Sequence, residues 1–330
     1  MQSARLHAAR DVRLHDEPVP APGTGETLVR VSAVGICGSD LHWFDGGGIG
    51  ATRLDRPLVL GHEFAGVTLD GVRVAVDPAI SCGTCEPCVE GHANLCESVR
   101  FAGHDEDGAL REWVAWPERC LIPLPDTLSD ADGAVLEPLG VALHAVDLAH
   151  VRPGATVGVF GCGPIGWLIV QVARAAGATR VIATDLPART YRLDAARAVG
   201  AEVFPADGRE AGAIRRATGG RGLDAALEAA GDNAAVDAAV EAVRPGARVV
   251  LAGIPGTERT TFVAATARRK GLTLVLARRM KHAYHRAIRL VETGRIDVTS
   301  CVTHRFPLGE SRAAFETASR RQGMKVLVEP

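Results

Sequence analysis

The sequence predicts a two-domain α/β protein in which a β-rich domain is interrupted by a doubly wound parallel-sheet domain. Three observations carry this. The chain has 330 residues, more than one small core normally organises. From about Glu137 to Ala277, short apolar runs alternate with amphipathic segments, the pattern of parallel strands joined by helical crossovers. The segments on either side are strand-like with Gly and Pro punctuation, so the tail from Val298 to Pro330 returns to the first domain. The expected division is 1–143 with 278–330 for the β-rich domain, and 144–277 for the parallel-sheet domain.

Composition narrows the function classes. Hydrophobic residues are 47%, charged residues 23%, and the formal net charge is −2, which reads as a soluble globular protein. No long block of like charge offers a surface for nucleic acid or an anionic membrane. Met1–Pro22 has no apolar h-region and no run of about 18 apolar residues occurs, so the expected location is the cytoplasm.

In the first domain, Thr27–Ser32 and Val72–Val76 are β-rich runs. The stretch from Ile80 to about Arg100 has little apolar periodicity and carries Cys82-x2-Cys85-x2-Cys88-x7-Cys96, four of the eight cysteines. Four thiolates at this spacing can close a tetrahedron around Zn²⁺ with no open position, a structural rather than a catalytic site. An iron–sulfur cluster is the competing reading.

In the second domain, strands are expected at Thr156–Phe160, Arg180–Thr184, Ala225–Glu228, Arg248–Ala252 and Leu272–Ala277. Helices are expected at Ile165–Ala176, Thr190–Val199, Asn233–Val243 and His282–Glu292. The first strand runs into Gly161-Cys-Gly163-Pro164-Ile165-Gly166 and then into a helical pattern. This GxGxxG gives a tight turn, a backbone able to approach a pyrophosphate, and close helix–strand packing. The helix N-terminus would face the phosphates. The second strand ends at Asp185, 19 residues after Gly166, where a carboxylate would hold the adenosine ribose and repel a 2′-phosphate. NAD is therefore expected rather than NADP, although Arg189 lies close by and Asp185 also suits a helix N-cap.

Metal chemistry is also available elsewhere. Cys37 offers a thiolate, His62 an imidazole, and Glu63 and Glu137 carboxylates; three protein ligands with an open position make a catalytic zinc site. Taken singly, His62 reads as a loop histidine, Glu137 as a helix-entry acid and Cys37 as a small buried hydrophobe.

The strings Gly35-Ile-Cys37-Gly-Ser39-Asp40-Leu-His42, Gly61-His62-Glu63-Phe-Ala-Gly66 and Leu136-Glu137-Pro138-Leu139 settle the choice when read with the cysteine loop and the glycine motif. In this order they resemble the zinc-dependent medium-chain dehydrogenase superfamily over almost the whole chain. Val302-Thr-His-Arg-Phe-Pro-Leu308 resembles its sorbitol (L-iditol) dehydrogenase branch. The resemblance implies a GroES-like β-barrel catalytic domain and a Rossmann domain. It implies two zinc ions per chain, with Cys37, His62 and Glu137 as catalytic ligands and Glu63 as a neighbouring or alternative ligand. Zinc would polarise a secondary hydroxyl, NAD would accept the hydride, and Ser39 would take the hydroxyl proton and pass it through the cofactor ribose to His42. Arg279 falls where the branch has an arginine that helps hold a polyol, and Trp43, Phe44 and Phe101 are further pocket candidates. A surface charge at a strand end is the other reading of Arg279.

The chain departs from the branch in three places. Trp43 stands for the usual tyrosine, which removes a hydroxyl. Asp45-Gly-Gly-Gly48 replaces a more polar loop. The hairpin Gly66–Val74 is shorter, so a trimmed but intact barrel is expected. The expected function is oxidation of a polyol or sugar alcohol to a ketone. A threonine- or amino-cyclitol-type zinc dehydrogenase shares the Cys/His/Glu set, and a non-catalytic NAD-binding regulator is the reading outside enzymes. The partners implied are a small-molecule alcohol and, by resemblance, further copies of the chain in a homotetramer or homodimer.

Overall fold

A computed structural model describes residues 1–256 and 259–330. It divides into two compact units, Met1–Glu137 with Tyr284–Glu292 and Asp297–Pro330, and Pro138–Ala283 with Thr293–Ile296. The boundary expected after residue 143 thus falls at Glu137/Pro138, and that expected before residue 278 falls at Ala283/Tyr284.

The first unit is built on a seven-stranded, largely antiparallel sheet. Its order is Leu121–Pro123, Arg73–Val76, Glu63–Thr68, Glu26–Gly35, Lys325–Glu329, Val302–Pro307, with Trp113–Pro117 also pairing Glu26–Gly35. The C-terminal strand lies antiparallel to Glu26–Gly35, with Leu327 opposite Gly35, which is how the tail rejoins the first domain. The apolar alternation of these strands feeds one core that includes Val29, Phe64, Val114, Trp116 and Val328. The short hairpin expected around Gly71 is present. Thr68 N–H donates to the Val72 carbonyl at 2.9 Å, and Gly71 takes a φ of +86°, a left-handed conformation that costs glycine little.

The second unit carries a six-stranded sheet whose neighbours are all parallel. Its order is Glu202–Pro205, Arg180–Asp185, Thr156–Phe160, Leu223–Glu228, Val243–Leu251, Thr273–Leu276. Numbered within the unit this is 3-2-1-4-5-6, the dinucleotide-binding order, with its switch point between the first and fourth strands. Val157, Val159, Ile182, Leu227 and Val249 are fully or nearly fully buried, as continuous apolar strands covered on both faces should be. The third strand, Glu202–Pro205, and the helix Glu210–Ala217 had no clear sequence signal, because that strand is short and half exposed.

The helix Asp130–Ala149 was also not expected, because it contains Pro138. Proline removes an N–H donor and crowds the preceding turn. The helix tolerates it with a reciprocal cap at its start. Ser129 N–H donates to Asp132 Oδ2 at 2.9 Å and Asp132 N–H donates to Ser129 Oγ at 3.1 Å, satisfying two otherwise unpaired donors. Glu137 therefore sits inside a helix and is not a helix-entry acid.

Candidate active site and metal centres

The strand Glu26–Gly35 ends two residues before Cys37, and Cys37 is the N-cap of the helix Gly38–Gly46. Asp40, three residues on, accepts from the Cys37 N–H at 2.9 Å, the acid-at-N3 arrangement that fixes a helix start. The neighbouring antiparallel strand begins at Glu63, and pairs Gly35 with Glu63. Strand register thus delivers Cys37, His62 and Glu63 to one place. One ligand atom from each lies within 4.8 Å of the others.

Asp40 organises this trio. Its carboxylate is almost wholly buried, lies 3.3 Å from His62 Nδ1 and accepts from the Gly61 N–H at 3.4 Å. A histidine whose Nδ1–H is held by a carboxylate presents Nε2 as its ligand atom, the usual outer-shell arrangement of a metal-binding imidazole. His62 Nε2 is 3.4 Å from Ser39 Oγ. Burial opposes a charge on His62, but Asp40 and Cys37 outweigh it and hold the imidazole well above its ordinary pKa.

Lys325 left no signal in the sequence. It heads the C-terminal strand, where a lysine in front of an apolar run reads as surface. Yet it is 2% exposed. Its Nζ donates to both oxygens of Glu63, at 2.8 and 2.6 Å, and to the Ile36 carbonyl at 3.2 Å. It ties the segment carrying Cys37 to the segment carrying His62. Burial opposes its charge, but Glu63 more than compensates, and its pKa is raised.

Glu137 is buried beside this centre but is not a member of the trio. Burial pushes its carboxyl up to about 7; Glu63 adds to the shift, while His62 and Lys325 oppose it. Glu63 lies within reach of Cys37 and His62 and is paired with Lys325, whereas Glu137 stands outside that group. The donor set, a thiolate, an imidazole and a carboxylate, suits Zn²⁺ with an open position.

Ser39 and His42 are half-buried on the Gly38–Gly46 helix, three residues apart and so on one face. The Phe101 ring packs on His62 with centroids 5.2 Å apart. Trp43 is 3% exposed and meets His104 edge-on at 5.5 Å. Phe44 does not line a pocket; it is fully buried and packs on Phe315. Arg279 belongs to the other unit, at a φ of +54° after the strand Thr273–Leu276.

Cys82, Cys85, Cys88 and Cys96 form a second group, with all four sulfurs within 4.8 Å of one another. Cys82 Sγ accepts from the N–H groups of Thr84 and Cys85, at 3.5 and 3.3 Å, which brings its thiol down to about 6. Cys96 Sγ accepts from the Cys82 N–H at 3.3 Å. The lobe has almost no apolar core: Val89 and Leu95 are exposed and only Asn94 and Cys96 are buried. A closed Zn–thiolate tetrahedron has sulfur–sulfur edges of roughly 3.8 Å for bonds of about 2.3 Å. The four donors fit it, and the missing core gives it a structural task.

In the second unit the glycine motif follows the strand Thr156–Phe160. Gly161 has a φ of +102°, and a Cβ there would meet the Ala229–Ala230 backbone at 2.8–3.0 Å. A Cβ on Gly166 would overlap the Gly161 carbonyl. Pro164 and Ile165 open the helix Pro164–Ala175, where proline's missing N–H is not needed. Asp185, at the end of its strand, accepts from Cys162 N–H at 2.9 Å and from Leu186 N–H at 2.7 Å. Its carboxylate is thereby locked beside the glycine turn. Arg189 precedes the helix Thr190–Ala198. Arg192, not singled out from sequence, is buried, and its guanidinium lies 3.5 Å from the position a Gly163 Cβ would take. The spacing rules look to the strand end and miss a side chain that returns from the next helix.

Comparison with known proteins agrees with this geometry. Residues 23–126 match the alcohol dehydrogenase GroES-like domain and residues 164–293 match the zinc-binding dehydrogenase domain. The sorbitol dehydrogenase of Bacillus subtilis is 34% identical over 100% of this chain and 97% of its own length. The sorbitol dehydrogenase of Gallus gallus is 35% identical over 98% and 95%. Among solved structures, a zinc-binding dehydrogenase from Sinorhizobium meliloti bound to NADP superposes with a TM-score of 0.89 at 32% identity, over 100% of this chain and 99% of that one. With relatives of this identity along its full length, the chain belongs to the zinc-binding dehydrogenase family.

Proposed function

We propose that this protein is a zinc-dependent dehydrogenase that oxidises a secondary hydroxyl of a polyol or sugar alcohol to a ketone, with NAD as the hydride acceptor. The observation that carries the reading is the convergence of Cys37, His62 and Glu63, with Asp40 behind the imidazole, in a chain whose relatives include sorbitol dehydrogenases.

The catalytic ligands in this reading are Cys37, His62 and Glu137, with Glu63 held by Lys325 as the carboxylate that can replace Glu137; Cys82, Cys85, Cys88 and Cys96 hold a second, structural zinc. Zinc at the first site supplies a Lewis acid for a substrate oxygen. Asp40 keeps His62 in the tautomer that offers Nε2. Ser39 takes the substrate's hydroxyl proton, and His42, one turn further along the same helix face, releases it to solvent. Phe101 covers His62 and keeps that side of the site dry.

For the cofactor, the glycine turn Gly161–Gly166 cradles the pyrophosphate and Asp185 holds the adenosine ribose. A relative binds NADP, but here the Asp185 carboxylate is fixed by two N–H groups and would repel a 2′-phosphate, which favours NAD. Arg189 and Arg192 flank this position. Arg279 is assigned to substrate by resemblance alone.

The chain is proposed to work in the cytoplasm, where cysteines stay reduced and available to metal; no helix among the described residues is long and apolar enough to cross a membrane. A homodimer or homotetramer is proposed as well. The edge strand Thr273–Leu276 has no charged residue and leaves Leu276 76% exposed, a strand edge that usually needs a cover.

The test is NADH formation by the zinc-replete protein on a panel of polyols, cyclitols, threonine and simple alcohols, with NADP in parallel. Polyol turnover with NAD is expected. Turnover confined to threonine or a simple alcohol would overturn the polyol reading.

A further inference from the structure

Next to the metal trio, the loop 101–108 is clamped onto the residue that precedes His62. A Cβ on Gly103 would stand 2.9 Å from Gly61 N, and one on Gly108 would overlap the Leu60 and Gly61 carbonyls. The loop also curls around its own first residue. The N–H groups of His104 and Asp105 donate to the Phe101 carbonyl at 3.1 and 3.0 Å, and Asp105 Oδ2 accepts from Phe101 N–H at 3.1 Å. The Phe101 ring lies on His62 and the His104 ring lies against Trp43. His104 is thus built into the same wall as Phe101 and Trp43, one residue from a backbone that touches Gly61.

Its chemistry is set by Asp105. The Asp105 Oδ1 is 3.0 Å from His104 Nδ1. A carboxylate accepts only from an N–H, so Nδ1 carries a proton, and in the neutral ring Nε2 is the acceptor. The side chain is 31% exposed, enough to be reached, whereas Trp43 beside it is almost wholly buried. An acceptor, which the indole of Trp43 lacks, is therefore offered by residue 104. The run His104-Asp-Glu-Asp107 reads as a solvated charged loop in sequence, which hides this.

We propose that His104 accepts a hydrogen bond from a hydroxyl of the substrate away from the carbon being oxidised, and so sets the preference for polyols over monohydric alcohols. Asp105 is the positioning residue that fixes its tautomer. This assignment rests on the polyol reading above.

The experiment compares wild type with His104→Ala and His104→Gln on sorbitol or xylitol and on a monohydric secondary alcohol such as 2-butanol. Zinc content and urea midpoint are measured for each variant. For His104→Ala, kcat/KM on the polyol is expected to fall about tenfold, the loss of one well-placed hydrogen bond. The fall should appear mainly in KM, with 2-butanol within about twofold of wild type. His104→Gln, whose amide oxygen is again an acceptor, should recover part of the polyol activity. A parallel loss on both alcohols, or no loss on either, overturns the assignment while leaving the polyol reading in place. A wild type that turns over 2-butanol but no polyol overturns the reading and the assignment together.

Discussion

Lys325→Met is the substitution whose cost follows most directly from the structure. Lys325 and Glu63 are 3% and 1% exposed at their side chains, and the ammonium bonds both carboxylate oxygens and the Ile36 carbonyl. Methionine fills similar space but leaves the Glu63 carboxylate and that carbonyl unpaired. Removing one member of a buried pair costs about 3–5 kcal/mol, because the remaining charge has lost its counter-charge and not its burial. For a unit of this size, 1 kcal/mol moves Tm by about 2–4 °C, so the unit carrying the trio should melt about 6–20 °C earlier. Urea denaturation, followed by tryptophan fluorescence because Trp43, Trp113 and Trp116 lie in this unit, reads the loss as a lower midpoint at unchanged slope. Adding Glu63→Gln to Lys325→Met should return much of the loss, since the uncompensated charge is gone. A loss below about 1 kcal/mol, or a double variant no better than the single one, would refute the view that this pair fixes the site.

Four further outcomes are expected. Asp224 accepts from Thr156 N–H and pairs with Arg221 and Arg244, and its pKa is depressed, chiefly by Arg221. Its contribution is therefore present above its unfolded pKa of about 3.9 and lost as pH falls toward the folded value. Asp224→Asn should cost about 1.5–3 kcal/mol at pH 7 and progressively less below pH 4 in urea titrations at each pH. Cys96→Ser should remove one zinc per chain by elemental analysis and expose the 81–99 lobe to proteolysis, since little apolar burial holds it. Ser39→Ala should lower kcat by about 10²–10⁴, the range for a positioned proton acceptor, with little change in KM for NAD. Asp185→Ser should lower kcat/KM for NAD about tenfold or more by removing charge-assisted bonds to the ribose, and should narrow the gap to NADP.

Much of the site was legible because its determinants are local. The cysteine spacing, the glycine motif and the pair His62-Glu63 are short strings whose function needs neighbouring backbone, and the structure gathers each of them. Asp40 was legible in principle as an acid at the third helical position, but its second task, holding His62 Nδ1, joins residues 22 apart. Lys325, 262 residues from Glu63 in the chain, left no trace: a lysine beginning an apolar strand is normally solvated, and only the antiparallel pairing of the last strand with Glu26–Gly35 carries it inward. Arg192 and His104 were hidden for the same reason, each returning to a motif from a helix or loop outside it. Glu137 was expected as a ligand from its surrounding string. Its burial and raised pKa are properties of the packed helix Asp130–Ala149, which Pro138 disguised.

A zinc ion held by Cys37 and His62 would polarise the polyol hydroxyl while NAD takes the hydride. The direct measurement is zinc per chain together with polyol-dependent NADH formation for wild type and Cys37→Ala. Two zincs with turnover in wild type, falling to one zinc and no turnover in Cys37→Ala while the fold is kept, is the predicted result. A Cys37→Ala protein that keeps both zincs, or that loses one and still reduces NAD with the polyol, would contradict it.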